Sequence, residues 1–209
     1  MRFKIRYVDD NTRIMIKSTS FKIHLKQIGM DDLDGIQRCA NSPDIGYNFG
    51  CIESFPYPYQ RHDALALIEA AAILAKNESA YHFGIRNNLD NKLVGMFTIH
   101  EINKKNRNCE IGYWIDVEHR GKGYSYQAIE LGLNECFKQM HMKKVYAKIL
   151  DFNKPSIHIM DKLGFVQEGI LKNHQYMERN GIGFFAAQHI YAISDHDYNN
   201  KHSARITHT

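Results

Sequence analysis

The stretch Arg120-Gly121-Lys122-Gly123-Tyr124-Ser125 is the most informative part of this 209-residue chain. It follows an alternating, strand-like run over residues 109–117 and precedes a helix-like run over residues 126–140. A small-residue turn that leads into a helix exposes backbone N–H groups at the positive end of the helix dipole. Such a turn can bind an anion, and Arg120 and Lys122 add positive charge. The pattern predicts a phosphate-bearing ligand and hence an enzyme.

The glycine spacing in this stretch excludes two common phosphate loops. A dinucleotide-binding G-x-G-x-x-G motif would need glycine where the chain has Tyr126. No G-x-x-x-x-G-K-[ST] motif occurs in the sequence. The pattern that remains is R-x-x-G-x-S over residues 120–125, which by itself fits an ordinary strand-to-helix turn equally well.

Four further motifs flank this loop in a fixed order. Upstream lie F-P-Y-P-Y at residues 55–59 with D-A at 63–64, and E-I-G-Y-W-I at 110–115. Downstream lie N-K-P-S at 153–156, and K-L-G-F at 162–165 followed by E-G at 168–169. Together with the loop they resemble the RimJ/RimL-like branch of the GNAT superfamily of acyl-CoA-dependent N-acyltransferases, over roughly residues 19 to 195. That family's loop is Q/R-x-x-G-x-G/A, and Ser125 departs from its last position.

The resemblance implies an α/β (α+β) GNAT fold. We expect a mixed, mostly antiparallel sheet of about seven strands, flanked by about four helices, with a splayed V between the fourth and fifth strands. Residues 1–18 are predicted to be an N-terminal extension with a strand at 14–16, and residues 19–195 the acetyltransferase domain. Residues 196–209 are predicted to be a flexible polar tail. Residues 43–59 show no clear period and predict a long ordered loop.

The resemblance also implies acetyl-CoA as the acyl donor. Its pyrophosphate would rest on the backbone amides of the glycine loop. Its pantetheine arm, an extended amide chain, would pair with the backbone near the end of the 109–117 strand. The implied cofactor-binding residues are Ile115, Val117, Arg120, Gly121, Lys122, Gly123, Tyr124, Ser125 and Asn153.

The implied reaction is direct attack of a free amine on a thioester, without an acyl-enzyme. The amine must be neutral to attack. A lysine-like amine is neutral in only ~0.1% of molecules at pH 7, whereas an α-amine is neutral in ~10–20%. A general base therefore matters most for a lysine-like or polyamine acceptor, and the leaving thiolate also needs a proton.

Glu110 is the first candidate for the base. It lies on the polar face of the predicted strand, where a carboxylate can take a proton through water. The alternative is a structural carboxylate that orients a neighbour, and the same alternative is stronger for Glu168. Some members of the branch have a carboxylate where this chain has Gln175, which cannot accept a proton; His174 or Glu178 could replace it.

Ser156 is the candidate acid. In the branch that it resembles, the serine of N-x-x-S lies near the leaving sulfur. The alternative is an ordinary helix cap, since Asn153 and Ser156 precede a helix and Pro155 suits its first turn. The two readings are compatible, because Asn153 can cap the helix while Ser156 faces the cofactor.

Five aromatic residues are the best candidates for the acceptor site, and local packing is the alternative for most of them. They are Tyr47, Phe49, Phe55, Tyr57 and Tyr59. The acceptor could be the N-terminal amine of a protein, a polyamine, an antibiotic amine or another small amine.

Composition narrows the class of protein further. A net charge of +4 does not require nucleic acid as a partner. We expect no membrane segment, a cytoplasmic location and a monomer or homodimer. Cys39, Cys51, Cys109 and Cys136 show no C-x-x-C spacing and predict free thiols in a reducing compartment. The 12 histidines lack a metal-ligand spacing, so no metal site is expected.

Two other functions remain open from the sequence. One is a catalytically silent acyl-CoA-binding module that acts as a sensor or partner protein, which the Gln175 departure favours. The other is a nucleotide-binding protein, which would be stabilised against unfolding by ATP or NAD better than by CoA.

Overall fold

A single nine-stranded sheet organises the chain, which the computed structural model describes over residues 4–9, 12–49, 55–179 and 181–204. The strands are β1 Lys4–Val8, β2 Ile14–Ser18, β3 Ile23–Gln27, β4 Tyr81–Asn87, β5 Leu93–Asn103, β6 Asn108–Ile115, β7 Lys144–Leu150, β8 Val166–Arg179 and β9 Ile182–Ser194. Their order in the sheet is β1-β2-β3-β4-β5-β6-β7-β9-β8. Only β6 and β7 pair in parallel, and the other neighbours are antiparallel.

Six α-helices in the described part of the chain cover both faces of the sheet. They are α1 Leu33–Ala40, α2 Pro43–Phe49, α3 Arg61–Lys76, α4 Tyr124–Asn134, α5 Lys154–Leu163 and α6 Asp195–Ala204. Helices α1 and α3 pack on one face, and α4 and α5 pack on the other. This arrangement confirms the predicted mixed sheet with helices on both sides. None of the described helices has the length and apolarity needed to cross a bilayer.

The predicted alternation along β6 explains why this strand joins the two cores. Cys109, Ile111 and Ile115 are buried in the core under α4 and α5, whereas Trp114 is buried in the core under α1 and α3. Successive side chains of a strand point to opposite faces, so one strand contributes to both layers. Each buried apolar side chain of this size contributes about 1.5–3 kcal/mol to stability.

The splay between β6 and β7 is the feature that positions the site. The two strands pair only at Asn108–Lys144, Cys109–Val145 and Glu110–Tyr146. Beyond these pairs β6 continues to Ile115 and β7 to Leu150 without pairing with each other, which opens a V with Glu110 at its vertex. The splay confirms the expectation, since β6 and β7 are the fourth and fifth strands when counted from β3.

The two additional strands come from the N-terminal extension. β1 and β2 form a hairpin that pairs antiparallel with β3 and lengthens the sheet from about seven strands to nine. The predicted strand at residues 14–16 is part of β2. Arg13 ties this hairpin to the start of α1 through ion pairs with Asp31 and Asp9.

Two predictions about irregular segments were wrong. Residues 43–49 form α2 rather than the start of a long loop, because a seven-residue helix is too short to show a clear period. Residues 195–204 form α6 rather than a flexible tail, and residues 205–209 lie outside the described residues. Tyr198 packs α6 against the core, and its ring centroid is 5.0 Å from that of Phe137. A single buried aromatic residue produces no helical period in the sequence, so this helix could not be predicted from the pattern.

Candidate active site

The glycine loop has the strand–turn–helix geometry that the sequence predicted. After β6, residues 117–119 form a short 3-10 turn, and α4 begins at Tyr124 with Gly123 as its N-cap residue. Gly121 and Gly123 have left-handed φ angles of +75° and +76°. The first N–H groups of α4 have no partner within the helix, and they lie at its positive end.

The space above this turn is open and fits an anion. A Cβ atom added to Gly121 or Gly123 would have no heavy atom within 4 Å. A side chain at either position would therefore project into open space beside the turn. Left-handed φ angles are also unfavourable for residues other than glycine. The pyrophosphate of CoA therefore fits this cradle.

Arg120 makes specific contacts that the sequence did not predict. Its Nε donates to the Ile115 carbonyl oxygen at 3.3 Å, and its Nη1 lies 3.3 Å from Oδ2 of Asp44 on α2. Arg120 therefore links the loop to the end of β6 and to α2. Lys122 is exposed, so its ammonium can approach a phosphate from solvent.

Asp116 holds the start of the loop and was missed from the sequence. Its buried carboxylate accepts a hydrogen bond from Arg38 at 3.1 Å and lies 3.2 Å from Nδ1 of His119. Its other oxygen accepts from the backbone amide of Glu118 at 3.4 Å. The only sequence signal was an aspartate directly after an apolar strand, which is common for the cap of a short helical turn.

Beyond Glu110, the edge of β6 forms one wall of the V, and its backbone groups there do not pair with β7. On the β7 side, residues 111–115 of β6 have no strand partner. Ile115 is buried in this wall, whereas Val117 lies beyond it in the 3-10 turn with an exposed side chain. An extended amide chain could pair with this edge as an added strand would.

The N-terminus of α5 forms the facing wall. Asn153 is the N-cap residue, and its Oδ1 accepts from the Ser156 backbone N–H at 3.3 Å. Its Nδ2 donates to the carbonyl oxygen of Asn48 at 3.4 Å. Both polar ends of the Asn153 amide are thus engaged, which gives it a clear capping role and fixes Ser156 in the first turn.

Tyr113 lies beside Ser156, and no role was predicted for it from the sequence other than its place in the motif at residues 110–115. Its hydroxyl oxygen is buried and has no well-formed hydrogen bond within the described residues. Burial raises the pKa of Tyr113 to about 12, and the Ser156 side chain is the polar neighbour that opposes this rise. Tyr113 therefore stays protonated at physiological pH.

Glu110 lies at the vertex of the V and is paired. Its Oε2 is 2.7 Å from Nζ of Lys148, and the same ammonium is 3.5 Å from Glu101. Burial raises the pKa of Glu110, and Lys148 opposes the rise. Tyr146 donates to Glu101 at 2.6 Å, so the network extends from the buried vertex to a half-exposed carboxylate.

Two histidines on the neighbouring strands lie near this network. His100 is the cross-strand partner of Glu110, and burial lowers its pKa. Burial lowers the pKa of His82 to about 4, so this ring is neutral at pH 7. Side-chain atoms of His100, Glu101 and Glu110 lie within 4.8 Å of one another. The ammonium of Lys148 already provides the cation for these carboxylates.

The alternative base candidates lie on β8. Glu168 forms a surface ion pair with Lys144 at 2.5 Å, which agrees with the structural reading. Gln175 is half-buried opposite Ala186, and His174 and Glu178 are exposed. Because β9 separates β8 from β7, these side chains belong to strands outside the V.

The aromatic residues separate into three groups in the structure. Tyr59 is a core residue, and Tyr57 is 60% exposed. Tyr47, Phe49 and Phe55 are half-buried on the face that carries α1 and α3.

Helix α2 brings two of these rings across the open end of the V. Phe49 packs against β6, since a Cβ on Gly112 would be 3.0 Å from its Cζ. Tyr47 stacks on Phe152, which follows β7, with ring centroids 4.8 Å apart. The open end of the V therefore has an aromatic border on the face opposite α4.

Comparison with known proteins agrees with this geometry. Residues 22–166 match the family described as the acetyltransferase (GNAT) domain. The uncharacterized N-acetyltransferase YoaA of Bacillus subtilis is 28% identical over 163 residues, which cover 78% of this chain and 89% of that protein.

Two solved structures share the fold. A spermidine N-acetyltransferase from Vibrio cholerae in complex with CoA and spermine superposes with a TM-score of 0.73 at 23% identity, covering 85% of this chain and 98% of that one. RimL, a ribosomal L7/L12 alpha-N-protein acetyltransferase in complex with coenzyme A, gives 0.74 at 16% identity, covering 84% and 95%. The chain therefore belongs to the GNAT acetyltransferase family, as an N-acetyltransferase, which its motifs indicated.

Proposed function

We propose that this protein transfers the acetyl group of acetyl-CoA to a primary amine by direct attack in a ternary complex. The observation that carries the proposal is the open glycine cradle at the start of α4, beside the unpaired edge of β6. The cradle fits a pyrophosphate, and the edge fits an extended amide chain. Bound acetyl-CoA supplies an activated acyl group in the form of a thioester.

Glu110 is the proposed base, acting through water. The cofactor lies on the side of α4, so the amine approaches from the opposite face, toward which the Glu110 side chain points. A carboxylate with a raised pKa is a better proton acceptor than an exposed one. Lys148 stabilises the ionised form that the reaction requires.

Replacing Lys148 with methionine tests this role through pH dependence. Without the ammonium, the pKa of Glu110 rises further, so ionised Glu110 appears only at higher pH. The acid limb of the kcat/KM profile should move about 1–3 pH units upward. Lys144→Met is the control, because Lys144 pairs with the exposed Glu168 and should leave the limb unchanged. An unshifted limb in Lys148→Met would exclude Glu110 as the titrating base.

Ser156 is the proposed acid for the leaving sulfur. Asn153 fixes its position in the first turn of α5, on the wall of the V that faces β6. When the carbon–sulfur bond breaks, its electron pair stays on sulfur, which takes the hydroxyl proton of Ser156. The serine oxygen then recovers a proton through water from Glu110, which holds the proton that the amine lost. Asn153 supports this step by positioning Ser156 rather than by direct contact with the cofactor.

The acceptor is proposed to be a primary amine that enters along the aromatic border of the V. The V. cholerae relative is a spermidine acetyltransferase, and RimL acts on a protein α-amine. Both classes of amine are therefore reasonable acceptors for this chain. An α-amine is the easier one chemically, because more of it is neutral at pH 7.

A panel of amines tests the proposed function. The purified protein is mixed with acetyl-CoA and spermidine, a short peptide with a free N-terminus, or small amines, and free thiol is followed. At least one amine should raise thiol release about tenfold or more above the rate without amine. Tight CoA binding with no amine-dependent release would instead support the silent acyl-CoA-binding module, which the presence of Gln175 favours.

We infer a reducing, cytoplasmic setting for this reaction. Cys39, Cys109 and Cys136 are buried free thiols. The sulfur atoms of Cys109 and Cys136 are 3.7 Å apart without a disulfide, as is usual for cytosolic proteins. Cys51 lies outside the described residues.

A further inference from the structure

Tyr113 occupies a position that its packing role alone does not explain. It lies in the unpaired part of β6, and its ring contacts the core under α4 and α5. Its hydroxyl oxygen is buried, yet it has no well-formed hydrogen bond within the described residues. A buried hydroxyl without a partner is unfavourable, and phenylalanine would fill the same space without that cost.

The polar group beside this hydroxyl is the side chain of Ser156. The backbone of Ser156 is fixed, because its N–H is bound by the Asn153 side chain at 3.3 Å. The serine hydroxyl can still rotate about its Cα–Cβ bond. A group that donates a hydrogen bond to Oγ of Ser156 would occupy one lone pair of that oxygen. The hydroxyl proton of Ser156 would then point toward another acceptor.

We propose that Tyr113 is a positioning residue that donates a hydrogen bond to Oγ of Ser156 and thereby directs the Ser156 hydroxyl proton toward the leaving sulfur. This inference rests on the proposed function. Tyr113 keeps its own proton throughout, since the proton that sulfur gains comes from Ser156, and Ser156 is reprotonated through water with the proton that the amine lost. The buried position of the phenol oxygen keeps it from contacting the sulfur itself.

A double-mutant cycle with Tyr113→Phe and Ser156→Ala tests this inference. Tyr113→Phe should lower kcat about 2–12-fold, which is the effect expected from one neutral hydrogen bond. The Kd for CoA should stay within about twofold. In the Ser156→Ala background the same change should lower kcat no further. Tyr7→Phe is the control and should leave kcat unchanged, because Tyr7 lies in the distant strand β1 and its hydroxyl contacts Met15 of β2.

Three results would overturn the inference. An equal loss of kcat in the Ser156→Ala background would mean that Tyr113 acts without Ser156. An unchanged kcat in Tyr113→Phe would mean that the hydroxyl has no role in turnover. Independent effects of the two changes on the free energy of unfolding would mean that the hydroxyls do not interact.

The unfolding measurement separates this inference from the proposed function. If the wild-type protein releases no thiol with any amine, the proposed function is wrong, and the positioning role is wrong with it. If the wild-type protein is active and the unfolding cycle shows no coupling, only the role of Tyr113 is wrong. Coupling in both unfolding and kcat would support the inference.

Discussion

Gly123→Val is expected to raise the Kd for CoA about 100-fold or more. Gly123 has a φ of +76° and directly precedes the first residue of α4. A β-branched residue strongly disfavours this backbone conformation. Its side chain would also project into the open space beside the turn, and we expect it to obstruct the pyrophosphate that is proposed to bind there. Calorimetric titration with CoA measures the change.

Gly181→Val is a matched control for backbone strain. Gly181 also has a φ of +76°, and a Cβ there would likewise have no heavy atom within 4 Å. It lies between β8 and β9, away from the loop. Both variants should lose a similar amount of stability, about 1–3 kcal/mol. Only Gly123→Val should lose CoA affinity, and near-normal binding by that variant would show that the phosphates bind elsewhere.

Ser156→Ala is expected to lower kcat about 10²–10⁴-fold while leaving the Kd for CoA within about threefold. Loss of a general acid removes an interaction that is made only as the carbon–sulfur bond breaks. The backbone N–H of Ser156 still binds Asn153 in the variant, so α5 should keep its cap. Steady-state kinetics with the best amine of the panel, together with CoA titration, separates the two effects.

Ser79→Ala serves as the control for loss of a serine hydroxyl. Ser79 is exposed and donates to the carbonyl oxygen of Leu74 at the end of α3. Its replacement should change neither kcat nor CoA affinity. If Ser156→Ala retains wild-type turnover, Ser156 is only a structural residue. A loss of CoA affinity with unchanged kcat would make it a binding contact instead.

The parts of the site that depend on local sequence were predictable. The period-two pattern of residues 109–117 predicted β6, with Glu110 and Trp114 on the face opposite Ile111. The glycines at 121 and 123 predicted the turn, because glycine tolerates left-handed φ angles at little cost. The asparagine at 153 predicted the cap of α5.

Short elements that depend on a few tertiary contacts were not predictable. Helix α2 has seven residues, and α6 contributes Tyr198 as its buried apolar ring. Neither sequence shows a helical period, because a period needs several apolar residues on one face. Strands β1 and β2 have only five residues each, so their alternation in the sequence was too short to predict the whole hairpin.

The sequence by itself determined the family, the glycine turn before α4 and the chemical types of the candidate catalytic groups. The tertiary structure decided which of the charged groups have partners: Lys148 for Glu110 and Asp44 for Arg120. It also brought the Tyr113 hydroxyl beside the side chain of Ser156. The two ion pairs join residues 38 and 76 positions apart in the chain. Burial also raises the pKa of Glu110. Burial and distance are properties of the packed sheet and helices, so no local pattern of residues could have specified them.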